Sequence, residues 1–140
     1  MASFPNLVLY PMLFHCLLVF LLLIKLGHEK TKAVKAKQVD RQKAALDNSA
    51  WPESVVKISN SLANQFQLPV IFYALSLVVY VTNPHSIVAF VLLCLFVVSR
   101  YIHAYIHTTT NYVPHRFRVF TLGALTLLAL LVMLFVLLAS

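Results

Sequence analysis

Apolar residues gather along the chain into four blocks, each long enough to cross a bilayer core, which takes about 20 residues of helix. The first covers residues 6–26. It is too long for a signal-peptide core and lacks preceding positive residues, so it reads as an uncleaved first helix. Pro11 breaks its hydrogen-bond ladder locally, a defect that membrane helices tolerate where neighbours satisfy the freed groups. The second helix is expected over 53–82, with Pro52 suited to its first turn. Its halves differ: 68–81 is apolar apart from Ser76 and two tyrosines, whereas 54–67 carries Ser54, Lys57, Ser59, Asn60, Ser61, Asn64, Gln65 and Gln67. A lipid-facing segment could not carry that load.

A tight uncharged turn, Thr82-Asn83-Pro84-His85, leads into a third helix over 84–108, since Pro84 excludes Asn83 from helix and is itself suited to a helix start. Its apolar part gives way to a polar end holding Arg100, His103 and His107. A connector at 109–115 precedes a fourth helix over 116–139, which has no charge beyond Arg118. The sustained polar stretch is 27–52. Within it, residues 30–46 are rich in Ala, Lys and Gln, good helix formers that suit an interfacial helix among headgroups. The pattern predicts an all-α integral membrane protein, one four-helix transmembrane domain over 1–140.

Composition agrees. Of 140 residues, 61% are hydrophobic and 11% charged, against about 45–50% and about 25% in soluble domains, so a soluble globule is excluded. The net charge of +7 raises a nucleic-acid partner, but position decides against it. The basic residues cluster in the polar loop and at the helix ends, with no basic-aromatic stripe for nucleic acid. They flank a membrane, and the positive-inside rule puts the 27–52 loop and the 109–115 connector in the cytoplasm, with both termini opposite. Cys16 and Cys94 sit in apolar runs and read as small buried hydrophobes.

Candidate chemistry lies among the polar residues of the spans, where each is costly. Lys57, Asn60, Asn64 and Gln67 are spaced three, four and three, one face of a continuous helix. Arg100, His103 and His107 form a matching face on the third helix. Helices two and three run antiparallel, so both stripes reach the same membrane side, where Arg116 and Arg118 join them. The result is a cationic, amide-rich cleft suited to a small anion with carboxylates. The bland alternatives are interhelical packing by the amides and snorkelling by the arginines. His103 and His107 have a metal-capable spacing, with His115 near, but no Cys or acid completes a tetrahedral set.

These residues resemble the membrane-associated proteins in eicosanoid and glutathione metabolism (MAPEG), which include microsomal glutathione transferases. The resemblance rests on Asn64-Gln65-Phe66-Gln67-Leu68-Pro69, Arg100-Tyr101-Ile102-His103 and Pro114-His115-Arg116, with their spacing. It implies a four-helix bundle assembled as a homotrimer, with glutathione as co-substrate between neighbouring subunits near the cytoplasmic side. By that resemblance Asn64, Gln67, Arg100, His107, Lys57 and Asn60 hold glutathione, and Arg116 stands by the thiol as the catalytic residue. Gln67 stands where the family usually has glutamate, Asn60 where an arginine is frequent, and His107 where many members have tyrosine. Guanidinium groups suit the two carboxylates of the peptide, and one beside the sulfur favours the nucleophilic thiolate.

The implied activity is a glutathione-dependent transferase or peroxidase acting on small hydrophobic electrophiles or lipid hydroperoxides, with no metal or prosthetic group. The rival is a non-catalytic protein that binds a lipid or a partner helix.

Overall fold

The computed structural model describes residues 5–139. A 3-10 turn, Pro5–Leu9, runs into α1 (Tyr10–Lys35); α2 (Arg41–Ala44) and a 3-10 turn, Asn48–Ala50, form the loop; then come α3 (Glu53–Ala63), a 3-10 turn, Asn64–Phe66, α4 (Leu68–Thr82), α5 (Ile87–Thr108) and α6 (Val113–Ala139). Among the described residues four helical spans are long and apolar enough to cross a membrane: Asn6–Lys35, Glu53–Thr82, Ile87–Thr108 and Val113–Ala139. Between 28% and 44% of each apolar window is buried inside the chain. Most of the apolar surface therefore faces outward, which lipid tolerates and water does not.

Several boundaries differ from the sequence reading, each for a local reason. The first helix does not stop at residue 26 but continues to Lys35, because polar residues end a membrane span without ending a helix. Ala and Lys propagate it past Gly27, and the Thr31 hydroxyl donates to the Gly27 carbonyl at 2.8 Å. It closes in a Schellman motif: Lys37 takes a φ of 54°, with Gln38 N donating to Ala33 O and Lys37 N to Val34 O, both at 3.0 Å. Pro11 falls in the first turn of α1, after the 3-10 segment, so it interrupts no α-helical ladder. The expected interfacial helix shrinks to α2, capped by Asp40.

The loop is otherwise held by local contacts. Lys30 Nζ lies 4.8 Å from the Trp51 ring centroid, and Trp51 Nε1 donates to the Ala44 carbonyl at 3.3 Å. Asp47 caps the next turn. Hydrogen bonds from the Ser49 side chain and backbone hold its carboxyl below the ordinary carboxylate range.

The second span is two helices rather than one. Pro69 has no N–H for the Gln65 carbonyl and crowds it, so the chain tightens into the 3-10 turn and Gln67 leaves the helical region at φ −102°, ψ −100°. The third helix begins at Ile87, not residue 84, because Ser86 caps it by accepting from Ala89 N at 3.2 Å. Pro84 stays in the turn, where Ser86 N donates to Asn83 O. The fourth starts at Val113 instead of 116, with Pro114 in its first turn.

The apolar core lies away from the polar helix ends. Phe72 of α4 and Phe96 of α5 are fully buried and stack at 4.7 Å between centroids, joined by Val79, Leu93, Leu127 and Leu130. Helices α5 and α6 meet closely at Gly123, where a Cβ would stand 2.6 Å from Ser99 Oγ. A small residue at such a crossing lets membrane helices approach.

Candidate functional site

Arg100 is the largest fully buried side chain, at 1% exposure. A guanidinium cannot lose its charge at ordinary pH, so it must find acceptors inside the bundle. The break at Pro69 supplies one: Arg100 Nη2 donates to the Asn64 carbonyl at 3.2 Å. Gln65 supplies another, its Oε1 accepting from Arg100 Nε at 3.3 Å. The Phe120 ring centroid lies 5.9 Å from the guanidinium carbon. Arg100 Nη1 is buried with no hydrogen-bond partner, as is His103 Nδ1.

Gln65 also ties Arg100 to the first helix. Its Nε2 donates to the Ser61 carbonyl at 2.9 Å, which leaves Oε1 as the acceptor for both Arg100 and His15 Nε2, the latter at 3.2 Å. In the neutral His15 ring Nε2 then carries the hydrogen, and Nδ1 accepts from the Tyr73 hydroxyl at 2.7 Å. The Cys16 thiol meets the same hydroxyl at 3.4 Å. Two arms of hydrogen bonds, one from Tyr73 of α4 through His15 of α1 and one from the buried cation of α5, thus converge on Gln65.

Arg116, near the start of α6, faces the same region. Its Nη1 donates to Asn111 Oδ1 and to His107 Nε2, the second bond being 3.2 Å. Asn111 reaches it from the α5–α6 connector, where it takes a φ of 52°, a region asparagine tolerates better than most residues. Arg116 Nε and Nη2 remain uncommitted. Asn64, His103, Val113, Arg116, Phe117 and Phe120 line a pocket of about 200 Å³. No carboxylate lines it, and all four acids of the chain lie within residues 29–53. The local charge is therefore uncompensated and favours an anion.

The structure brings some sequence-predicted residues together and separates others. Asn64 and Arg116 line the pocket, with Arg100 behind Asn64 and His107 holding Arg116. Lys57 pairs with Glu53 at 2.7 Å and donates to the Thr109 carbonyl at 3.5 Å. Asn60 is exposed and accepts from Asn48 through its side chain and from Asn64 Nδ2 through its carbonyl, the latter at 2.9 Å. Gln67 is exposed; the break turns it off the face that a continuous helix would give it. Arg118 is exposed as well.

Among the described residues no group of three or more His, Cys, Asp and Glu could hold a metal ion. His103 and His107 meet edge-on at 5.6 Å, whereas His115 packs against Tyr112.

Gln65, His15 and Tyr73 were not singled out by the motif reading. The signal for His15 was present, as an ionisable residue inside an apolar span. Gln65 stands inside the Asn64–Pro69 block, but neither its role nor that of Tyr73 follows from sequence, because their partners in this network lie 50 and 58 positions away.

The model of the MAPEG family matches residues 8–136 of the chain. No curated protein and no solved structure matches it.

Proposed function

The chain belongs to the MAPEG family, and on that premise we propose that it binds glutathione at the Asn64–Arg116 pocket and activates it as a thiolate. The family includes glutathione transferases and related enzymes. The observation that carries the reading is Arg116, anchored through one nitrogen to Asn111 and His107 while its other N–H groups stay free beside a pocket without carboxylates. A guanidinium so held favours thiolate over thiol by charge. His103, which lines the pocket, has a buried Nδ1 without a hydrogen-bond partner, and an unpaired buried polar group is costly unless a ligand meets it.

On this reading Asn64 and Arg116 meet the peptide at the pocket wall, Arg100 supports Asn64 from behind and His107 holds Arg116, while Lys57, Asn60 and Gln67 meet the peptide from the rim. Val113 and Phe117 are exposed beside the pocket, which gives a neighbouring subunit room to complete it, as in a homotrimer. The basic loop and connector face the cytoplasm, as the distribution of Lys and Arg supports. In the transferase reaction the sulfur bonds to an electrophilic carbon as its leaving group departs. In the peroxidase reaction the sulfur takes the distal oxygen of a lipid hydroperoxide, leaving the alcohol, and a second glutathione releases water and disulfide. Neither needs a metal or prosthetic group.

The test is thiolate absorbance when purified protein meets saturating glutathione. The reading expects a signal that Arg116→Ala largely abolishes. No signal from the wild type overturns it in favour of a non-catalytic lipid or helix binder, and an undiminished signal in Arg116→Ala removes the role assigned to that side chain.

A further inference from the structure

A second set of cavities lies on the outer side of the bundle, between α1 and α5. The α1 stripe steps through Pro11, Phe14, Leu18, Leu22 and Lys25, and the α5 stripe through Cys94, Val98, Tyr101, Tyr105 and Thr108. These steps of three and four residues keep each stripe on one helix face. The two helices run parallel: Tyr10 and Phe90 both line the cavity at one end of the seam, while Lys25 Nζ donates to the Thr108 hydroxyl at 3.2 Å at the other. One cavity of about 330 Å³ lies toward the Tyr10 end and a second of about 190 Å³ toward Lys25. Tyr101 lines both, so they form two sections of one groove.

The groove is apolar except at its Lys25–Thr108 end. Tyr101 donates its hydroxyl to the Phe14 carbonyl at 2.8 Å, which leaves its ring as the wall. Charge enters only at the upper end, with Lys25. That ammonium has the neutral Thr108 hydroxyl as its partner, and Glu29, one turn further along α1, does not pair with it.

We infer that this groove binds one anionic phospholipid of the bilayer, with an acyl chain along the α1–α5 seam and the phosphate on Lys25. Dimensions support it. Pro11 and Lys25 are 14 residues apart, about 21 Å of helix, against about 15 Å for half a hydrocarbon core. The seam is thus about 6 Å longer than one leaflet is deep, long enough to hold an acyl chain along it while Lys25 stands at or just beyond the edge of the hydrocarbon, where a phosphate lies. Charge argues against a second copy of this protein as occupant. All four acids lie within residues 29–53, only Glu29 and Glu53 of them on the spans, and Glu53 is already paired with Lys57, so a neighbour has little counter-charge to offer that ammonium. The site is separate from the Asn64–Arg116 pocket, and the inference stands or falls independently of glutathione binding.

Native mass spectrometry of the detergent-purified protein, with phosphatidylglycerol or phosphatidylcholine added at equal mole fraction, tests it. The expected result is one phosphatidylglycerol retained per chain, favoured about fivefold over phosphatidylcholine, the scale of one lysine charge at an anionic surface. Lys25→Gln, a change at an exposed side chain, removes the preference, and Lys25→Arg preserves it. In a Cys16→Ala background, phosphatidylglycerol also slows maleimide labelling of Cys94, a readout that needs no groove-filling variant to fold. Equal retention of the two lipids, or an undiminished preference in Lys25→Gln, overturns the inference. Oleate displacing phosphatidylglycerol at equal concentration overturns it in favour of a free fatty acid, and Cys94 cross-linking between chains overturns it in favour of a second copy.

Discussion

The Asn64 carbonyl accepts a hydrogen bond from Arg100 Nη2 at 3.2 Å, and this pairing of a backbone group on one span with a buried cation on the next depends on Pro69. Without the proline-induced break, the helical ladder would claim the carbonyls of Asn64 and Gln65. Non-helical backbone inside a membrane protein survives where another group satisfies it, and here the guanidinium does so.

Pro69→Ala therefore tests the coupling. The new N–H can bond to the Gln65 carbonyl, the turn at 64–66 relaxes toward α-helix, and Arg100 loses an acceptor. The expected outcome is stronger hydrogen-exchange protection of the Leu68 and Val70 amides together with a loss of about 1–2 kcal/mol in unfolding free energy. A variant that gained protection and stability together would show that Arg100 does not need the break.

Gln65 is the acceptor on which two donors converge, Arg100 Nε and His15 Nε2. Gln65→Leu preserves approximate size but strands both, and should cost about 2–4 kcal/mol. Gln65→Glu keeps an acceptor for each and adds a counter-charge, so it should unfold at a higher temperature than Gln65→Leu in the same detergent. Equal midpoints for the two would mean that the network contributes nothing beyond packing.

The contact between Gly123 and Ser99 is steric. A Cβ at 123 falls 2.6 Å from Ser99 Oγ, and that hydroxyl is engaged with the Phe96 carbonyl at 2.6 Å. Gly123→Ala should destabilise by about 1–3 kcal/mol through overpacking. In a Ser99→Ala background the obstructing oxygen is gone, and the cost should fall below about 0.5 kcal/mol; a double-mutant cycle measures the difference. Additive effects would place the origin of the cost elsewhere.

The four spans could be read from hydropathy because lipid imposes a length and a composition that few other constraints mimic. Arg100, Asn64 and Arg116 were legible for a related reason: each is expensive inside or beside a span and so stands out. Pro69 is visible in the sequence as well, but its effect reaches back over the preceding turn, so the stripe through Lys57, Asn60, Asn64 and Gln67 holds only for a continuous helix. The 3-10 turn removes Gln67 from that face. The Tyr73–His15–Gln65 chain could not be drawn from spacing, because tertiary packing across distant segments creates it.

Gln67 offers a sharp test of the proposed glutathione site. The resemblance aligns it with a glutamate of the family, and the structure leaves it exposed, past the break and outside the Gln65 network. Gln67→Glu should therefore fold normally. If the rim of the pocket meets the ammonium of the peptide, a carboxylate at 67 adds a charge-assisted hydrogen bond worth about 1 kcal/mol, a five- to tenfold tightening of glutathione. Isothermal titration of both proteins checks it. The gain should shrink as salt is raised, since an exposed ion pair is screened. Unchanged or weaker affinity in Gln67→Glu would exclude Gln67 from contact with the ammonium, leaving the arginines and Asn64 to hold the peptide.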